Sequence, residues 1–122
     1  MIKVYIAGPY TKGDVAVNVK RAMDCFEELA NAGFCPCAPT ANYHFQHMAH
    51  PRTYEEWMKL DLEWLKACDC VLRLDGESPG ADREVAAAQA AGMGVFHSVA
   101  DVIKCSPKPI RYCVRELPLS KE

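Results

Sequence analysis

The sequence predicts an α/β protein, a three-layer sandwich with helices on both faces of a mostly parallel sheet of four to five strands. Three observations point there. Short β-rich runs alternate with segments of helical period, in the order strand, helix, strand, helix, strand, helix, strand. Right-handed crossovers between such strands force a mostly parallel sheet. The chain has 122 residues, half of them apolar and a quarter charged, which suits one compact domain of ordinary globular composition.

Each element has a local cause. Ile2–Ala7 (IKVYIA) is a β-rich run that stops at Gly8-Pro9. From Asp14 onward Val15, Val19, Ala22, Met23, Phe26, Leu29 and Ala30 recur at helical spacing, with Asp14 as the cap and Gly33 as the stop. Phe34–Ala38 reads as a second strand, made short or peripheral by Pro36. Pro39–Arg52 has no clean period and reads as a loop with a helical turn. Thr53-Tyr-Glu-Glu56 is a capping box before a helix through Trp57, Met58, Leu60, Trp64 and Leu65 that ends near Ala67. Cys70–Leu74 is the third strand and Asp75–Gly80 the loop after it. Ala81–Ala91 is an alanine-rich helix closed by Gly92. Gly94–Ser98 is a fourth strand and Val99–Lys104 one helical turn. The whole reads as a flavodoxin- or Rossmann-like domain over residues 1–104, with 105–122 as a C-terminal arm rich in proline.

Composition removes several function classes. Fourteen basic and sixteen acidic side chains leave a charge of −2, so no electrostatic footprint for nucleic acid or an anionic membrane is expected. No apolar run approaches the roughly 20 residues that cross a bilayer, and the start does not read as a secretory signal, so a cytoplasmic protein is expected. The seven cysteines are an odd set with no Cys-x-x-Cys; Cys35/Cys37 and Cys68/Cys70 suit alternate faces of short strands better than zinc, and read as reduced thiols. His44, His47 and His50 lack a completing carboxylate or thiol nearby and read as a polar loop that lines a pocket.

In parallel α/β sheets ligands bind beyond the carboxyl ends of the strands. That rule selects Gly8–Gly13, Pro39–His50 and Asp75–Gly80. Gly8-Pro-Tyr-Thr-Lys-Gly13 has neither the dinucleotide fingerprint nor a P-loop lysine, although Lys12 could meet a phosphate. Glu84 is expected in the first turn of the third helix, where the dipole and free N–H groups favour its ionised form. Asp61 interrupts an apolar helical stretch and faces either solvent or the pocket end of the buried side; beside a second carboxyl it would be pushed toward its protonated form. Ser78 and Gly80 open the helix of Glu84, where they either cap it or bind an anion. Tyr5 lies on the first strand, a place more often structural than catalytic.

Tyr5-Ile-Ala-Gly-Pro9, Asp61-Leu-Glu-Trp-Leu-Lys-Ala-Cys-Asp69 and Ser78-Pro-Gly-Ala-Asp-Arg-Glu84 resemble the three motifs of the nucleoside 2-deoxyribosyltransferase superfamily. That superfamily includes the 2′-deoxynucleoside 5′-phosphate N-hydrolases and cytidylate N-hydrolases. Its short, often phage-encoded members are similar to this chain in the segment Arg73-Leu-Asp-Gly-Glu-Ser-Pro-Gly-Ala81. The resemblance spans about residues 2–97. It implies that Glu84 is the nucleophile at the anomeric carbon, that Asp61 assists departure of the base, and that Tyr5 stands by nucleophile and sugar. Ser78 matches the serine that N-hydrolases place on a 5′-phosphate, where transferases have an acidic residue that would repel it. Asp82 departs from the pattern, standing where better-known relatives have glycine. It either faces away or disfavours the phosphate, and Arg83 could offset its charge.

The expectation is therefore an N-glycosidase acting on a (deoxy)nucleoside 5′-monophosphate, with Gly8, Ser78, Gly80, Asn42, Tyr43 and His44 binding substrate and no cofactor or metal required. The alternatives are a deoxyribosyltransferase exchanging bases and a non-catalytic nucleotide-binding module. The resemblance also implies a homodimer or higher homo-oligomer.

Overall fold

The structure, a computed structural model, describes residues 1–42 and 50–105, apart from the side chains of residues 41, 42 and 105. Four parallel strands form one sheet in the order β2-β1-β3-β4, with β1 Lys3–Ala7, β2 Cys35–Cys37, β3 Cys70–Arg73 and β4 Gly94–Phe96. Helices α1 (Val15–Asn31), α2 (Tyr54–Lys66), α3 (Pro79–Ala90) and α4 (Val99–Cys105) connect or follow them, and Pro39–Asn42 forms a single 3-10 turn. The expected α/β sandwich is thus present, with an all-parallel sheet of four strands among the described residues.

The caps are those the side chains dictate. Asp14 accepts from the Val17 amide at 3.2 Å and starts α1. Gly33 (φ 93°) closes it in the left-handed region, so that the Phe34 amide reaches back to Leu29 O at 3.0 Å. At α2 the box closes both ways, with Glu56 N–H to Thr53 Oγ1 at 3.2 Å and Thr53 N–H to Glu56 Oε1 at 2.8 Å. Pro36 is accommodated because β2 is an edge strand of three residues.

Strand period sorts the interior into two cores. Val4, Ile6 and Leu72 face one side and pack with Leu29, Phe34 and Val102 from the α1/α4 layer. Tyr5, Ala7 and Val71 face the other and pack with Leu65, Ala81 and Ala88 from the α2/α3 layer.

Three expectations need correction. Helix α3 begins at Pro79, not Ala81, because Ser78 caps it through the Ala81 amide (3.0 Å) and proline fits the first helical position. Glu84 consequently lies in the second turn, and Asp82 is the acidic residue of the first. Cys35 and Cys37 share one face of β2 rather than alternating, since residues two apart in a strand project the same way. Cys70 belongs to the α1/α4 core and Cys68, which precedes β3, to the other. The 105–122 arm lies outside the described residues, save for the backbone of Cys105.

Candidate active site

A cavity of about 480 Å³ opens beyond the carboxyl ends of β1 and β3, within the roughly 300–1,000 Å³ of small-molecule sites. Its floor includes Gly8 and the start of α3 at Ser78 and Gly80; Asp61 and Glu84 both face into it. Gly80 packs closely there: a Cβ would stand 3.2 Å from Met58 Cε, which would have to shift by a few tenths of an ångström to admit it.

Glu84 is 6% exposed and accepts a hydrogen bond at Oε2 from the Tyr5 hydroxyl, itself fully buried under α3. Burial pushes the Glu84 carboxyl up to about 7; the Tyr5 hydrogen bond opposes this, the nearby Asp61 adds to it, and Arg73 opposes it again. The dipole-favoured ionised state expected of a first-turn residue is therefore not what the site provides. Burial first, then the negative charges of Glu84 and Asp61, drive the Tyr5 phenol far upward, so Tyr5 keeps its proton and acts as a donor.

Asp61 faces the cavity rather than solvent. Burial raises its carboxyl to about 6. Its Oδ1 is buried with no hydrogen-bond partner among the described residues, which leaves one acceptor, or one donor when protonated, open to a ligand. Two like carboxyls sharing one hollow with values near 6 and 7 hold a single proton between them over that interval, and the two values belong to the pair.

The structure brings Glu84, Asp61, Ser78, Gly8 and Gly80 to one cavity, with Tyr5 hydrogen-bonded to Glu84. Tyr43, His44 and the side chain of Asn42 lie outside the described residues, as do His47 and most of the histidine loop. Asp82 does not point at the cavity; it pairs with Arg73 at 3.0 Å. Arg83 does not offset it, being held by Glu55 at 2.6 Å. Sequence reasoning missed Arg52, Tyr54 and Trp57, which wall the cavity from the start of α2, with the Arg52 guanidinium 5.0 Å from the Trp57 ring centroid. Their signal was present, since the capping box begins a helix just past the strand ends. It also missed that Cys37 and Cys68, distant in sequence, pack against the same α2/α3 core.

No helix among the described residues is long and apolar enough to cross a membrane. Among them, too, no three His, Cys, Asp or Glu side chains are grouped to hold a metal ion.

Fold and site together define a parallel α/β protein with a carboxyl pair at its open rim. The chain belongs to the family described as a domain of unknown function, DUF7768, which matches residues 2–98. Among solved structures it is similar to a 2-deoxyribosyltransferase from the psychrotolerant bacterium Bacillus psychrosaccharolyticus, described as a biocatalyst for the synthesis of antiviral and antitumoral nucleosides. The match has a TM-score of 0.60 and 18% identity, and covers 91% of this chain and 99% of that one. At that identity the likeness is one of fold. No curated protein matches the chain.

Proposed function

We propose that this protein is an N-glycosidase that cleaves the base–sugar bond of a (deoxy)nucleoside 5′-monophosphate. The observation that carries the reading is the pair of carboxyls, Glu84 and Asp61, facing one cavity with Tyr5 hydrogen-bonded to the first. Ionised Glu84 attacks C1′ on the face opposite the base, through an oxocarbenium-like transition state. The C1′–N bond breaks as Asp61 delivers its proton to the departing base, directly or through water. Water then adds to C1′, displacing Glu84 and returning a proton to Asp61, with overall retention. Tyr5 orients Glu84 and, by donating to it, favours the form that attacks.

The phosphate fits the start of α3, where Gly80 leaves space and Ser78, accepting from Ala81, still has a hydroxyl proton to give. Asp82 is no obstacle there, because its carboxylate is exposed and occupied by Arg73. Lys12, paired loosely with Glu77 at 3.6 Å, and Arg52 add positive charge to the lining.

The test is incubation with all common ribo- and deoxyribonucleoside monophosphates and chromatography for free base. Release is expected to be bell-shaped in pH, highest between about 6 and about 7 where the pair holds one proton; Glu84 is the weaker acid of the two, so the reactive species is the minority form in which that proton sits on Asp61. Asp61→Asn should slow it by roughly 10²–10⁴-fold, the span of general-acid catalysis. Tight binding without turnover across the panel would refute hydrolysis and leave a nucleotide-binding module. The likeness to a protein described as a deoxyribosyltransferase favours base exchange as the second reading. Only a transferase makes a new nucleoside or nucleotide when a second base is supplied.

A further inference from the structure

Arg73 ends β3 in register with Ala7 of β1. Two residues beyond Val71, it emerges on the same face of the sheet as Tyr5, the face that α3 covers. Its side chain is only 12% exposed, and both terminal nitrogens of its guanidinium donate hydrogen bonds. One nitrogen donates to Leu74 O; the other donates to Gly76 O at 2.9 Å and to Asp82 Oδ1 at 3.0 Å. Those carbonyls belong to the loop that delivers Ser78 and Gly80 to the cavity. A planar fork with several donors can hold two loop carbonyls and a helix carboxylate at once; an ammonium cannot do so in that geometry.

The charged and titratable groups that bear on Glu84 among the described residues are Tyr5 from β1, Asp61 from α2 and Arg73 from β3; β4 brings none. On its own helix Asp82 is turned to Arg73 and Arg83 to Glu55. Arg73 thus brings its positive charge to the helix that carries the buried carboxyl by pairing with Asp82, two residues before Glu84, and Asp82 is the group that fixes it.

We propose that Arg73, braced by Asp82, is a positioning residue of this site: its guanidinium staples the β3–α3 loop in place and, through Asp82, holds a positive charge against the helix that carries Glu84. This rests on the glycosidase reading for its meaning in catalysis. The charge and the fork are separable contributions. The first sets how readily Glu84 ionises; the second sets where Ser78 and Gly80 stand.

The deciding experiment follows the Glu84 carboxyl by NMR in full-length protein labelled with ¹³C at glutamate side chains, with the resonance assigned by its loss in Glu84→Gln. In Arg73→Met the Glu84 midpoint should rise, because a positive charge that favours its ionised form is gone, and by less than removal of the Tyr5 hydrogen bond would raise it. Arg73→Lys should restore most of that shift. Asp82→Asn, which keeps an oxygen acceptor for Arg73 but removes the negative charge, should lower the midpoint. A midpoint that moves in neither Arg73→Met nor Asp82→Asn, or that Arg73→Lys fails to restore, overturns the assignment. If Arg73→Met does not fold, as judged by circular dichroism, Asp82→Asn decides alone. The titration needs no substrate, so failure of the wild type to release base would refute the glycosidase reading without touching this result. Where base is released, Arg73→Lys should raise KM several-fold while leaving the pH profile of kcat in place.

Discussion

The two faces of the sheet are built from alternate residues of the same strands and do opposite things. On the α1/α4 side Val4, Ile6, Leu72, Leu29 and Phe34 meet with no buried polar side chain of their own. On the α2/α3 side the same β1 presents Tyr5, whose hydroxyl reaches a buried glutamate, with half-buried Asp61 beside them. One face stabilises by removing apolar surface from water; the other keeps ionisable groups away from water at a cost in stability. Division of labour across one strand is possible because the side-chain period is two. It lets the site carry that cost without disturbing the apolar layer on the opposite face.

The largest effect that would sharpen this contrast is Glu84→Ala. It should abolish base release while leaving the far-UV circular dichroism unchanged, and full activity in that variant would end the mechanism. Next, Leu72→Ala on the opposite face should cost about 2–5 kcal/mol in denaturant melts, the range for opening a cavity in a core. The folded fraction should release base with an unaltered pH profile; a shifted profile would show that the faces are not independent.

A third change acts with the opposite sign. Glu84 titrates at about 7 when folded against an ordinary 4.5, so its favourable contribution is complete below 4.5 and is lost as pH rises through 7. Glu84→Gln, inactive, should therefore be more stable than wild type by up to about 3 kcal/mol at pH 8, with the gap closing in acid. Thermal melts at both pH values check this. Smallest, Thr53→Ala removes the Oγ1 that receives the Glu56 amide and should cost about 1 kcal/mol, by the same melts.

What could be read from the sequence was whatever is local. Asp14, Gly33 and the Thr53 box set their helix ends through partners three or four residues away, and the ends fell where expected. The helix α3 starts two residues before the alanine-rich run that predicts it, because serine before proline is a helix opening in its own right. Starting it at Ala81 puts Glu84 beside the dipole and hides its burial. Asp61 was the harder case: its helix has Leu60 and Trp64 exposed, so amphipathic pattern alone could not tell which way the carboxyl turned. Arg73 and the shared packing of Cys37 and Cys68 depend on strand register and crossover geometry, which no short window of sequence contains.

One close approach at the rim has a consequence for engineering. At Gly76 (φ +115°) a Cβ would stand 2.7 Å from Pro9 Cγ, so the loops after β1 and β3 touch. Arg21, from α1, also ties the second loop by donating to Asp75 O at 2.5 Å. Neither rim segment can be lengthened or exchanged by itself without displacing its neighbour. A chimera meant to accept a different ligand would have to import both as a matched set, proline and glycine included.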